Sequence, residues 1–99
     1  MANLDPVNAE DWHEWVDETD GVLLDVREET EWEQGTLPDA QLIPMSEIMN
    51  RLDEIPKDKP ILCICRSGGR SQQVAAFLAH HGYSVANMEG GMKALGMQD

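Results

Sequence analysis

The chain has 99 residues and a formal net charge of −12 at pH 7, from 19 acidic and seven basic residues. This length suits one domain covering residues 1–99, and the acidic balance argues against nucleic-acid and anionic-membrane partners, which need a basic face. All the excess charge lies in residues 1–40, which contain thirteen acidic residues and one base. We interpret this segment as a solvated surface.

The cysteine content and the absence of long apolar runs indicate the cellular compartment of the protein. Cys63 and Cys65 are two residues apart, a spacing that fits neither a disulfide framework, nor a Cys-x-x-Cys redox motif, nor a zinc site. The sequence contains no recognisable signal peptide and no apolar run of membrane-spanning length. We therefore expect a cytoplasmic protein in a reducing setting, without a metal or other cofactor.

Apolar runs and helical spacings alternate along the chain. Trp12, Trp15 and Val16 form an apolar stripe after Asn8, a residue that can cap a helix, and predict the first helix. Continuous apolar runs predict strands buried on both faces of a parallel sheet. The predicted strands are 22–26, 41–43, 61–64 and 83–88. Further helices are predicted over 28–34 and 92–95. Another is predicted to begin after Ser46 as its N-cap, and one more to run from the turn at 65–71 to His81. This alternation indicates an α/β domain with a mainly parallel sheet.

The segment between the 61–64 strand and the following helix carries the strongest functional signal. It reads Cys65-Arg66-Ser67-Gly68-Gly69-Arg70-Ser71 and is called the cysteine loop below. A strand-to-helix turn directs unpaired backbone N–H groups and the positive end of the helix dipole at its contents. Gly68 and Gly69 can take positive φ and let the backbone curl around an anion, while Arg66 and Arg70 add positive charge. These features lower a thiol pKa, so Cys65 is predicted to be a nucleophilic thiolate.

Four separated segments resemble single-domain rhodaneses, which are thiosulfate or persulfide sulfurtransferases. They are 24–27 (Leu-Asp-Val-Arg), 33–40 (Glu-Gln-Gly-Thr-Leu-Pro-Asp-Ala), the cysteine loop, and 87–92 (Asn-Met-Glu-Gly-Gly-Met). The resemblance implies a five-stranded, mostly parallel sheet flanked by helices on both faces. It also implies that Cys65 carries a persulfide during turnover. Thr36 and Asp39 depart from a histidine and a glycine that are usual in the family.

The loop chemistry then predicts a sulfur-transfer mechanism. A Cys65 thiolate attacks the outer sulfur of a donor such as thiosulfate, sulfite leaves, and loop amides stabilise the resulting persulfide until a thiophilic acceptor takes the sulfur. The acceptor is a thiol, cyanide or a protein. One or both arginines steer the donor's sulfonate, or Arg70 braces the loop. The hydroxyls of Ser67 and Ser71 can donate hydrogen bonds to the sulfur, although Ser71 is also suited to capping the helix.

The Asp25–Arg27 pair and Cys63, all outside this chemistry, allow more than one interpretation. Asp25 and Arg27, at the end of a neighbouring strand, are predicted to form an internal ion pair supporting the loops rather than to line the site. Cys63 is expected to be a buried strand residue rather than a resolving thiol.

Two alternative functions stay open at this point. A cysteine phosphatase or arsenate reductase also uses a thiolate in a strand-to-helix loop, but phosphatases have Cys-x5-Arg, whereas Cys65 and Arg70 give Cys-x4-Arg. A rhodanese-like binding module that does no catalysis, or depends on a partner, is the other alternative.

Overall fold

A computed structural model describes residues 5–96, and in this range the chain forms a five-stranded sheet of order β1-β5-β4-β2-β3. All four pairings are parallel. The strands are β1 (Asp5–Asn8), β2 (Val22–Asp25), β3 (Gln41–Leu42), β4 (Ile61–Ile64) and β5 (Val85–Glu89). The predicted α/β fold with a mostly parallel sheet is confirmed.

Helices connect the strands. The α-helices are α1 (Trp12–Thr19), α2 (Gly69–His80) and α3 (Gly91–Ala94). Short 3₁₀ helices cover Ala9–Asp11, Glu29–Gln34, Met45–Glu47 and Met49–Glu54. No helix within the described range is long and apolar enough to cross a membrane.

Each face of the sheet has its own apolar core. On one face, residues of α2 and of the 3₁₀ segments pack on the sheet, and Val74, Leu78 and Ile48 join Leu24 and Cys63. On the other face, α1 and α3 pack around a second group: Leu23, Leu62, Ile64, Ala86, Met88 and Met92. Because both faces are covered, strands β2 and β4 are apolar throughout except for Asp25, as expected for a buried parallel sheet.

Four of the strands overlap strands predicted from the sequence, whereas β1 does not. The residue pattern gave no strand before Val22, and a fifth strand was implied only by the family resemblance. Strand β1 is four residues long and contains Pro6, a residue that strand patterns disfavour. It is tolerated here because β1 lies at the sheet edge and pairs only with β5.

The prediction that Ser46 caps a helix is wrong. Pro44, in extended conformation, occupies the N-cap position, and Ser46 lies inside the first 3₁₀ turn. Its hydroxyl instead donates to Glu28 Oε1 at 3.3 Å. Asn8 does occupy the N-cap position of the first 3₁₀ helix, but its side chain makes no capping hydrogen bond. Asp39 has φ 61°, so it adopts the left-handed conformation that favours the glycine usual there.

Candidate active site

The cysteine loop lies at the carboxyl end of β4, the central strand of the sheet. Cys65 directly follows β4, and α2 begins at Gly69. Gly68 occupies the N-cap position with φ 102°, which lets the chain reverse around the sulfur. Gly69 does not take positive φ and is the first helical residue. The prediction of a glycine turn is therefore confirmed for Gly68 and wrong for Gly69.

The sulfur of Cys65 is almost fully covered, with the residue 1% exposed. The backbone N–H of Gly68 donates to Cys65 Sγ at 3.0 Å. Burial raises the pKa of the Cys65 thiol, but hydrogen bonds from the side chain and backbone of Ser71 and from the backbone of Gly68 and Ser67 outweigh it. The pKa of Cys65 is therefore lower than that of an ordinary cysteine, as predicted from the loop.

Asn87, on β5, holds the groups that donate to the sulfur. Its side-chain Nδ2 donates to the Gly68 carbonyl at 3.2 Å. Its Oδ1 lies within hydrogen-bond distance of the Ser71 hydroxyl, whose single proton is donated either to Asn87 or to the Cys65 sulfur. The Ser71 oxygen also lies 3.3 Å from the Gly68 carbonyl oxygen. Ser71 is thus not the cap of α2, and its hydroxyl connects Asn87 to the cysteine loop.

The start of α3 holds the backbone at the beginning of the cysteine loop. The N–H of Met92 donates to the Cys65 carbonyl at 2.9 Å, and that of Lys93 donates to the Arg66 carbonyl at 2.8 Å. Gly91, with φ 59°, makes this approach possible, because a Cβ there would lie 2.4 Å from the Cys65 carbonyl oxygen. These two hydrogen bonds hold the backbone of Cys65 and Arg66 against α3.

The two loop arginines have different surroundings. Arg70 forms a bidentate ion pair with Glu31, with Nη1–Oε1 and Nη2–Oε2 distances of 2.5 and 2.7 Å. Glu31 raises the pKa of Arg70 most, and negative charge on Cys65 and Glu28 adds to the rise. The Arg66 side chain is exposed and has no ion pair with any residue from 5 to 96.

Asp25 and Arg27 form the buried ion pair that the sequence suggested. Asp25 is 1% exposed and Arg27 0%, and Arg27 Nη2 lies 2.7 Å from Asp25 Oδ2. The same guanidinium donates to the carbonyls of Glu31 and Gly35 at 3.4 and 2.7 Å. The pair therefore joins the end of β2 to the 3₁₀ helix that carries Glu31.

Cys63 is buried in the same core cluster as Cys65. Burial, and to a smaller extent negative charge on Cys65, raises the pKa of Cys63 to about 12. A thiol with this pKa stays protonated near neutrality. Within the described part of the chain, no group of three or more histidine, cysteine or acidic side chains is placed to hold a metal ion.

Three residues that shape the site were not predicted as site residues. Glu31 contacts Arg70 from 39 positions away in the sequence, and Asn87 contacts Ser71 from 16 positions away. Contacts over such separations leave no local sequence pattern. Asn87 and Gly91 lie in a segment that the resemblance singled out, but no role was assigned to them. Glu31 gave no signal beyond being one acid in an acidic helix.

The site and the fold together define a class of protein. A low-pKa thiol sits in a loop of backbone donors at the carboxyl end of a parallel α/β sheet, where such folds bind ligands. This arrangement can stabilise negative charge on a sulfur attached to Cys65.

Comparison with known proteins identifies the family. The model for the rhodanese-like domain matches residues 8–98, and the chain belongs to this family. A sulfurtransferase from Allochromatium vinosum is 46% identical over 79 residues, covering 79% of this chain and 74% of the relative. The thiosulfate sulfurtransferase GlpE from Pseudoalteromonas translucida is 30% identical over 82 residues, with coverages of 82% and 78%.

A solved structure agrees with this assignment. Reduced CoADR-RHD from Bacillus anthracis superposes with a TM-score of 0.88 at 37% identity, covering 95% of this chain. The match takes up 17% of that longer chain. It supports the rhodanese-like fold.

Proposed function

We propose that the protein is a sulfurtransferase that moves a sulfane sulfur from a donor such as thiosulfate to a thiophilic acceptor through a persulfide on Cys65. The observation that carries this proposal is the buried Sγ of Cys65, which accepts the Gly68 N–H at 3.0 Å and has a lowered pKa. Relatives named sulfurtransferase and thiosulfate sulfurtransferase support the same reaction class.

The first half-reaction loads the cysteine. The Cys65 thiolate attacks the outer sulfur of thiosulfate, the S–S bond of the donor breaks, and sulfite leaves with the bonding electron pair. The new terminal sulfur is negatively charged. The groups that lower the pKa of Cys65, from the loop backbone and from Ser71, are the donors we expect to stabilise that charge.

The second half-reaction transfers the sulfur from Cys65 to the acceptor. A nucleophilic acceptor attacks the terminal sulfur, and Cys65 leaves as a thiolate, which its low pKa favours. We propose a small thiol or cyanide as acceptor, with a protein thiol as an alternative, and no nucleic-acid or membrane partner. We also propose a cytoplasmic, reducing setting, in which neither cysteine is held in a disulfide.

A transfer assay tests the proposal. With thiosulfate as donor and cyanide or a small thiol as acceptor, Cys65→Ala should lower the rate by roughly a thousandfold or more, because the nucleophile is lost. Cys63→Ala is the matched control: its thiol is buried and protonated, so the variant should keep the rate within several-fold.

Two results would refute the proposal. One is a Cys65→Ala variant that transfers sulfur as fast as the wild type. The other is hydrolysis of an aryl phosphate faster than sulfur transfer, which would assign the Cys-x4-Arg loop to phosphatase chemistry instead.

A further inference from the structure

The ion pair between Glu31 and Arg70 changes which charges the cysteine loop offers to a donor. Both terminal nitrogens of Arg70 point to the Glu31 carboxylate, at 2.5 and 2.7 Å. The two side chains are 34% and 19% exposed. A bidentate pair with this degree of burial has a defined geometry, unlike a single contact between two solvated side chains.

Glu31 is also held in place independently of Arg70. Its Oε1 accepts the backbone N–H of Glu28 at 3.2 Å in a reciprocal capping box. Its carbonyl accepts Arg27 Nη1 at 3.4 Å, and Arg27 is itself anchored on buried Asp25. The carboxylate is therefore a fixed part of the site and does not have to be recruited by Arg70.

This pairing leaves the loop with little net positive charge for an anionic donor. The charge of Arg70 is balanced by Glu31, and Arg66 is the loop arginine without an ion pair among residues 5–96. A thiosulfate dianion would meet one available guanidinium and the loop amides. The affinity for a donor with less charge is not lowered by this ion pair, because the terminal sulfur of that donor needs only the hydrogen-bond donors of the loop.

Building on the proposed sulfurtransferase function, we propose that Glu31 sets donor specificity: by occupying Arg70 it tunes the loop for persulfides whose carrier has little negative charge. In the reaction, the Cys65 thiolate attacks the terminal sulfur of R–S–SH and the S–S bond of the donor breaks. The carrier leaves as RS⁻, and Cys65–S–SH forms and loses its proton to solvent. No external oxidant or reductant is required.

Two persulfides with the same reacting sulfurs test this proposal. One is the hydropersulfide of 2-mercaptoethanol, with a neutral carrier, and the other is that of 2-mercaptoethanesulfonate, with one negative charge. The wild type should have a kcat/KM for the neutral donor higher by roughly tenfold, because with Arg70 paired to Glu31 the Cys65 thiolate and the Glu28 carboxylate repel the sulfonate more than Arg66 attracts it. Glu31→Gln should raise kcat/KM for the sulfonate donor by a similar factor, mainly through KM, and leave the neutral donor within about twofold.

Matched variants show whether the effect passes through Arg70. Glu29→Gln removes an exposed carboxylate from the same 3₁₀ helix and should leave the discrimination unchanged. The gain of Glu31→Gln should disappear in the double variant Glu31→Gln/Arg70→Gln, because the freed guanidinium is missing.

Other results would overturn the proposal. Equal wild-type kcat/KM values for the two donors would do so, as would equal losses for both donors in Glu31→Gln, which would make Glu31 a purely structural residue. If Glu31→Gln fails to fold, Arg66→Gln replaces it: kcat/KM for the sulfonate donor should fall roughly tenfold, and equal losses for both donors contradict the proposal. Loading of Cys65 without charge discrimination refutes this inference alone, whereas no loading from any donor refutes the sulfurtransferase function as well.

Discussion

The Cys65 sulfur is subject to two opposing effects. Burial disfavours its thiolate, while the hydrogen bonds of the loop favour it, and the second effect is larger. Cys63, two residues earlier in β4, is subject to burial without these donors, and its pKa rises to about 12. The contrast between Cys63 in β4 and Cys65 directly after it indicates that the loop, and not the strand, activates the thiol.

The Ser71 hydroxyl gives the first prediction at this scale. Because its side chain lowers the pKa of Cys65, Ser71→Ala should move the pH profile of Cys65 alkylation by iodoacetamide to higher pH. Less thiolate is then present at neutral pH, and the rate there should fall roughly three- to tenfold.

Ser67→Ala is the comparison variant for this experiment. Ser67 acts on the sulfur through its backbone, so removing its hydroxyl should shift the profile less. A Ser71→Ala profile that coincides with the wild type, or moves to lower pH, would show that the hydroxyl does not stabilise the thiolate.

Among the elements, α3 has a role that its four residues do not suggest. Its first N–H groups bind the carbonyls of Cys65 and Arg66, and Gly91 lets it approach. The loop is therefore held both by α3 and by Asn87.

Gly91→Ala should perturb the loop as well as the stability. Its Cβ would lie 2.4 Å from the Cys65 carbonyl oxygen and 2.5 Å from that of Arg66, so backbone must move. We expect a loss of about 3 kcal/mol in the free energy of unfolding and slower Cys65 alkylation. Both are measured by denaturant unfolding and iodoacetamide kinetics.

Gly96→Ala is a control that distinguishes backbone strain at positive φ from steric contact with the cysteine loop. Gly96 also has positive φ, 73°, but a Cβ there meets nothing within 4 Å. It should cost about 1 kcal/mol and leave the alkylation rate unchanged. Equal effects of the two substitutions on Cys65 reactivity would contradict the supporting role of α3.

The limits of sequence-based prediction also follow from particular elements. Strands β2 and β4 were predictable because burial on both faces demands continuous apolar residues. Strand β1 was not, since its pattern includes Pro6 and only its edge position allows that. Residues 28–34 were predicted as a helix, but the 3₁₀ geometry observed over Glu29–Gln34 and the contact of Glu31 with Arg70 depend on tertiary packing.

In the whole molecule, the sheet brings distant segments to one end. Cys65 follows β4, Asp25 ends β2, and Asn87 lies in β5. Their side chains and those of Arg27 and Glu31 form contacts that connect the cysteine loop to the strands and to the acidic 3₁₀ helix. The acidic excess of the first forty residues, interpreted from the sequence as a solvated surface, also supplies Glu31 to the site.

The mass of the intact protein after exposure to a sulfur donor tests the central claim most directly. After incubation with thiosulfate or a hydropersulfide and removal of small molecules, the wild type should gain the mass of one sulfur atom and lose it when a thiol acceptor is added. Cys63→Ala should behave in the same way, and Cys65→Ala should gain nothing. A wild type that gains no sulfur from any of these donors, or a Cys65→Ala variant that gains it equally, would contradict the assignment of Cys65 as the sulfur carrier.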